Sequence, residues 1–269
     1  MKKNNKPFIT ILSIALAFVV IGGVLMGVGL SQGGDIRLRQ NYVGIFGFPS
    51  WDKDETSNEV HNYTVNSNVT KLTVEIDTAD VDVVYGSEFK ITTRHINKSE
   101  ISFEENGNNA TFVAKSRTWS TSNEKEVQLT IPSHVKDLDL SLDLGDLDIT
   151  GGFNLSNLNV KVNAGDVDIE NMMVETANID LDLGDFDFSG DFTKAFTYDN
   201  NAGDSDINLR NLQSYYDLDV SGSLGSFEIG DQTLSSINGG YKQSNNTGRL
   251  LKVNVDLGDL TIEFMDMDD

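Results

Sequence analysis

From Glu59 onward the chain alternates apolar and polar residues almost without a break. Period-two alternation is the mark of a half-buried β-strand, and no stretch after Leu30 shows apolar spacing near 3.6, so few helices are expected there. The alternation is organised into a repeat: an apolar-polar stretch, Gly-Asp (once Gly-Ser), then a second such stretch. Copies centre on Gly145, Gly165, Gly184, Gly203, Gly225 and Gly258, at spacings of 20, 19, 19, 22 and 33 residues, with a degenerate copy carrying Ala79 in the glycine place. A period near 20 predicts a stacked solenoid, each repeat burying its apolar face only against its neighbours.

Taking each glycine as zero, position −5 holds Leu140, Val160, Ile179, Tyr198, Val220 and Val253. Position +2 holds Leu147, Val167, Phe186, Ser205, Phe227 and Leu260, and +4 holds Ile149, Ile169, Phe188, Ile207, Ile229 and Ile262. Inward positions are odd before the glycine and even after it. That change of parity needs a bend, which a residue without a side chain tolerates. Each repeat is therefore expected to be strand, corner, strand, with consecutive repeats stacked at about 4.8 Å. Position −1 alternates large and small (Leu144, Ala164, Leu183, Ala202, then Leu224 and Leu257), and is expected to interdigitate in the core.

Before the periodic part, 89–136 is irregular and locally basic, with Lys90, Arg94, Lys98, Lys115, Arg117, Lys125 and Lys136. It is expected to add antiparallel strands beside or over the first rungs, with a hairpin turn at Asn106-Gly107. An insertion from Gly230 to Gly248 interrupts the ladder near its end, and serves either as a binding feature or as a spacer.

The first 58 residues follow a different pattern. Phe8 to Leu30 is 23 residues without a charge, behind Lys2, Lys3 and Lys6. That length suits a membrane-spanning helix and exceeds the apolar core of a signal peptide, which favours an uncleaved anchor. The lysines place the N-terminus inside and the rest outside, a bias that Arg37 and Arg39 weaken slightly. The division expected is a cytoplasmic tail over 1–7, an anchor over 8–30, an extracellular linker over 31–58 and a solenoid over 59–269. The linker carries Tyr42, Phe46, Phe48 and Trp51, which either lie at the lipid headgroups or plug the first rung.

Composition narrows the function. The chain has a formal charge of −22 and no cysteine. The charge excludes binding to nucleic acid through phosphate neutralisation. Without cysteine there is no disulfide, thiolate metal site or cysteine nucleophile, which suits a Gram-positive-like envelope. His61, His95 and His134 stand at no metal-ligand spacing and are expected on strand surfaces. No nucleophile elbow, phosphate loop or dinucleotide fingerprint is present.

The polar columns are where a site could lie. Position +1 holds Asp146, Asp166, Asp185, Asp204, Ser226 and Asp259, +3 holds Asp148, Asp168, Asp187, Asp206 and Glu228, and −2 holds Asp143, Asn163, Asp182, Asn201, Ser223 and Asp256. Carboxylates stacked about 5 Å apart repel by roughly 0.8 kcal/mol even in water, so something must offset them. One reading has the +1 aspartates accepting backbone N–H groups at the turn, with the +3 acids solvated. The other makes Asp146, Asp166, Asp185, Asp204 and Asp259 a ladder for Ca2+, although neither the nonapeptide calcium-roll repeat nor an EF-hand loop is present. The first is favoured.

The stretches LTVEIDTADVDVV (72–84) and VQLTIPSHVKDLDLSLDLGDLDI (127–149), with the Gly-Asp repeats that follow, resemble the bacterial adhesin-like domain of unknown function found in membrane-anchored or secreted proteins, mainly of Firmicutes. The resemblance runs over most of Val60 to Phe264. It implies a right-handed β-solenoid on the cell surface, with some relatives linked to the cell-envelope stress response, and it carries no catalytic residues. The expectation is thus a single-pass cell-membrane protein whose extracellular domain binds or senses an envelope protein, a cationic peptide or a wall component, and catalyses nothing. Its rivals are a β-helix enzyme on wall polysaccharide and a structural spacer. Function is expected where the repeat breaks down: the aromatic linker, the basic early section or the Gly230–Gly248 loop.

Overall fold

The computed structural model describes residues 59–115, 124–234 and 240–265. The chain divides into two units, Met1–Asp52 and Lys53–Asp269, and every described residue belongs to the second. The expected anchor, the aromatic linker and Arg117 lie outside the described residues. Among those described, no helix is long and apolar enough to cross a membrane. The two helical segments described, Lys98–Glu100 and Gln213–Tyr215, are single 3-10 turns. The fold is all-β, and its described strands join in one continuous sheet.

The sheet coils into a solenoid because each strand pairs in parallel with its equivalents one repeat away. Asp137–Leu144, Asn154–Val162, the later half of Val167–Leu183 and the later half of Phe186–Ala202 make one ladder, on the N-terminal side of the glycines. Leu147–Thr150, the starts of the same two long strands and Ser205–Leu209 make the second, on the C-terminal side. Register is strict: Leu140, Val160, Ile179 and Tyr198 stack, as do Leu147, Val167, Phe186 and Ser205. The expected −5, +2 and +4 columns are all buried. Column members also compensate in size. Tyr198 is the large member at −5 and Ser205 the small one at +2 of the same rung, and their hydroxyls meet at 2.8 Å. Phe186 stacks on Tyr198 with ring centroids 4.2 Å apart.

Rung order departs from the expectation that repeats stack as they follow in sequence. It holds in the middle and fails at both ends. At the C-terminal end, Leu250–Leu257 pairs with Phe186–Ala202 on one side and with Asp217–Leu224 on the other. Leu260–Phe264 likewise lies between Ser205–Leu209 and Phe227–Ile229. The last rung in sequence is thus threaded between two earlier ones. The Gly230–Gly248 insertion makes this possible, and its described strands, Gln232–Leu234 and Tyr241–Gln243, pair antiparallel with the outermost rung. It covers the end of the coil.

The N-terminal end repeats the device. Lys71–Thr78 and Asp80–Tyr85 form a rung flanked on one side by Asp137–Leu144 with Leu147–Thr150, and on the other by Asn109–Ala114 with Glu126–Ile131. The basic early section therefore supplies the outermost rung, with antiparallel strands Lys90–Arg94 and Ile101–Asn106 on it as expected. The hairpin forms, with Gly107 at φ 61 and Asn106 pairing with Asn109.

Candidate functional site

Each rung turns at its glycine with a backbone few side chains permit. Gly203 has φ 146, and a Cβ there would lie 1.8 Å from the Gly184 carbonyl oxygen. Adjacent corners thus sit backbone on backbone, and the side chains at −2, −1 and +1 face outward. This reverses the assignment of position −1. Leu144, Leu183, Leu224 and Leu257 are 36%, 56%, 62% and 49% exposed, so the alternation with Ala164 and Ala202 is a surface pattern, not a core-packing pattern. The strand's alternation ends at −3, because the corner everts the residue that alternation alone would bury.

The rungs bring the expected Ca2+ residues into one column in the spatial order Asp146, Asp166, Asp185, Asp204, Asp259, with Asp80 of the early rung ahead of them. Each Oδ1 accepts the backbone N–H of the next member: Asp80 from Asp146 at 3.1 Å, Asp146 from Asp166 at 2.9 Å, Asp166 from Asp185 and Asp185 from Asp204 at 2.8 Å. The column crosses the threaded rung unbroken, through Asp204 with Asp259 and Asp259 with Ser226, both at 2.8 Å. These aspartates act as rung-to-rung acceptors, and the bonds offset their mutual repulsion. Among the described residues no group of three or more His, Asp or Glu is arranged to hold a metal ion.

The −2 column solves the same problem differently. Asn163 donates to Asp143 at 2.9 Å, Asn201 to Asp182 at 2.8 Å, and Ser223 to Asp256 at 3.3 Å. In sequence this column runs Asp, Asn, Asp, Asn, Ser, Asp. In space the threaded rung restores strict alternation of acceptor and donor: Asp143, Asn163, Asp182, Asn201, Asp256, Ser223. The order of the last two is the one local sign of threading that the sequence carries.

The +3 column has no such offset. Burial, then the charges of Asp82 and Asp168 with those of Asp146 and Asp80, raises the Asp148 carboxyl above its ordinary range. Burial, then Asp168 and Asp206 with Asp185 and Asp166, does the same to Asp187. Farther along the strand, Lys71 meets Asp139 at 2.5 Å and Lys161 meets Asp180 at 3.7 Å. Both pairs border a shallow, open depression of about 220 Å³ lined in part by Thr73, Glu75, Asn159 and Asn178.

Two polar clusters fix the threaded end. Asp191, 3% exposed, receives Arg249 at 2.5 Å and the Tyr216 hydroxyl at 2.8 Å. The Arg249 guanidinium lies 4.8 Å from the Tyr216 ring centroid and 5.7 Å from that of Phe192. Asp217 accepts the backbone N–H groups of Asn245, Asn246, Thr247 and Gly248 at 2.7 to 3.1 Å. Desolvation is the largest single influence and raises its carboxyl, yet these bonds and the Ser244 hydroxyl together outweigh it and hold the carboxyl at about 2. Sequence reasoning assigned neither cluster, since their members lie far apart in the chain and follow no repeat.

The histidines do not converge. His61 is on a strand beside Glu59 at 3.1 Å, His95 is at a bend with φ 59, and His134 is in a turn with its ring 6.2 Å from that of Phe89. Only the first has the expected strand position.

No curated protein matches the chain. Several solved structures resemble it, two candidate adhesion proteins among them. One is a candidate cell adhesion protein from Clostridium sporogenes, at 15% identity over 77% of this chain and 99% of that one, with a TM-score of 0.47. The other is a candidate adhesin from Bacteroides fragilis, at 12% identity over 77% and 98%, with a TM-score of 0.45. Residues 60–263, the glycine-cornered coil from its first described strand to its last, match the family model Toastrack DUF4097, and the chain belongs to that family.

Proposed function

We propose that this protein is a non-catalytic, adhesin-like binding protein of the bacterial cell envelope, held by a single membrane-spanning helix over 8–30 with its coil outside. One observation carries the reading: the corner presents the same backbone and the same outward acid on rung after rung. A reacting centre needs one or two groups set apart from their neighbours, whereas a repeated surface suits multivalent contact with an extended or repetitive partner. The partner classes that fit are a cationic peptide, a basic wall component or an envelope protein, drawn in by the acidic field. A right-handed coil, the usual hand of parallel crossovers, completes the reading.

The test is retention of the full chain on isolated envelope fractions at low and high ionic strength, with wall glycan assayed alongside. Retention that falls as salt shortens the Debye length from about 10 Å supports the reading. Release of sugars from the glycan overturns it in favour of an enzyme.

A further inference from the structure

We propose that the glycine corner is a docking ridge for a cationic amphipathic helix of a partner protein or peptide, a proposal that rests on the binding reading above and gives it a surface. The ridge is a continuous column. Backbone N–H groups of Gly145, Gly165, Gly184, Gly203 and Gly258 donate to the carbonyls of Ala164, Leu183, Ala202, Leu257 and Leu224, which places these −1 residues one above another. Thr78 of the early rung pairs with Leu144 at the head of the column, and from there the spatial order is Leu144, Ala164, Leu183, Ala202, Leu257, Leu224. Knobs and holes alternate over the first five rungs, on the outside of the protein, where no described segment covers them.

Charge is arranged on the same period. Each alternating knob has an aspartate on either side: Asp143 and Asp146 flank Leu144, Asp182 and Asp185 flank Leu183, and Asp256 and Asp259 flank Leu257. At the holes the −2 residue is neutral, Asn163 and Asn201. Cross-rung bonding accounts for the acid-amide alternation, but it does not account for a large apolar side chain on every second rung. A leucine knob between two carboxylates is complementary to an apolar stripe bordered by lysine or arginine. A second copy of this corner would set aspartate against aspartate, and an anionic lipid surface would be repelled.

Spacing selects a helix over a strand. Knobs two rungs apart are about 9.6 Å apart, twice the strand separation. Seven residues of α-helix rise about 10.5 Å, so a helix lying along the ridge brings every seventh residue to within about 1 Å of the knob spacing, with side chains three or four residues on near the alanine holes. A strand repeats its face every 6.6–6.8 Å or so and falls out of register. From Leu144 to Leu224 is six rungs and five spacings, about 24 Å, enough for roughly 16 helical residues.

The probe is a synthetic 18-residue peptide with leucines on one helical stripe bordered by lysines, compared with a scrambled peptide of identical composition. Binding to the full-length protein is read by fluorescence anisotropy at two salt concentrations. The expected result is affinity at least about 10-fold higher for the patterned peptide. It should fall to the scrambled level in L144A/L183A/L257A, whose exposed positions leave the melting temperature unchanged. D143N/D182N/D256N should weaken binding and flatten its salt dependence. Equal affinity for both peptides, or full affinity in the leucine variant, overturns the ridge. Envelope retention of the wild type separates the two readings: if the wild type is retained but does not distinguish the two peptides, only the ridge fails, and if it shows neither retention nor selectivity, both fail.

Discussion

The middle of the coil and its ends use the same rung to opposite effect. From Asp137 to Leu209 each rung lies beside its neighbours in sequence, so the coil grows by local addition. At the C-terminal end the chain lays down an outer rung and then places the last one inside it. At the N-terminal end it lays down an inner rung, then the outer one, before the regular coil begins on the inner side. Columns of glycine, aspartate and aliphatic side chains carry the middle and cross the threaded rung in register. The ends need further contacts that belong to no repeat: Arg249 with Asp191, and Asp217 beneath 244–248. A column makes any rung fit any slot, and a unique contact decides which rung takes which.

The sharpest way to break this contrast is by deletion. Removing the repeat 165–183 joins Ala164 to Gly184, preserves the glycine, +1 and inward columns while setting Asn163 beside Asn201 at −2, and should leave a shorter coil with a single cooperative melt. Removing 249–269 should abolish cooperative melting, because it strips two strands that are each paired on both sides. Circular dichroism distinguishes these outcomes, and equal behaviour of the two deletions means that the ends are not special.

Next in size is Arg249→Ala, which leaves the Asp191 charge buried. It should cost about 3–5 kcal/mol, or on the order of 10 °C in melting temperature. Asp191→Ala/Arg249→Ala should recover part of that, whereas additive losses would deny the coupling. In the middle, Gly184→Ala puts a methyl 2.0 Å from the Gly165 carbonyl oxygen and should cost about 3 kcal/mol. Gly107→Ala, with nothing within 4 Å of the new methyl, should cost only about 1 kcal/mol for its φ.

The smallest effect concerns pH. Asp148 and Asp187 hold protons more tightly in the folded chain than in the unfolded one, since their carboxyls are raised above the ordinary 3.8. Stability from these groups therefore rises as pH falls from neutral through their raised range, and is lost as pH rises. Asp148→Asn and Asp187→Asn should each raise the melting temperature at neutral pH by about 1 °C and flatten that slope. Asp217 runs the other way: its contribution is full above 3.8 and disappears as the pH falls towards about 2. Melting curves between about pH 3 and pH 7 separate the two signs.

Much of the core was legible in the sequence. Positions −5, +2 and +4 repeat inward residues with the strand's own period, and Gly203 or Gly184 at a fixed place announces a corner. Leu183 was misplaced because alternation continues to it while the backbone does not. A corner that turns the side chains on both sides of its glycine outward cannot be told from continued alternation by hydropathy alone. The acceptor role of Asp166 was open to inspection, since stacked acids demand donors and the nearest are the amides of the next turn. Rung order was hidden, because Val220 and Val253 suit the same slot equally. Parallel ladders carry no label of neighbour identity beyond the alternation that Ser223 and Asp256 restore when exchanged.

Threading also limits how such a chain can lengthen in evolution. A coil built purely by succession can gain a repeat at its tip. Here the tip is a segment earlier in sequence, sealed by Gln232–Leu234 and Tyr241–Gln243, and the final segment, Leu250–Phe264, is held between two others. A duplicated unit appended after Phe264 would meet no open ladder. New repeats can enter only between Asp137 and Leu209, so relatives of different length should differ there, and the two closures should travel together as a matched pair of ends.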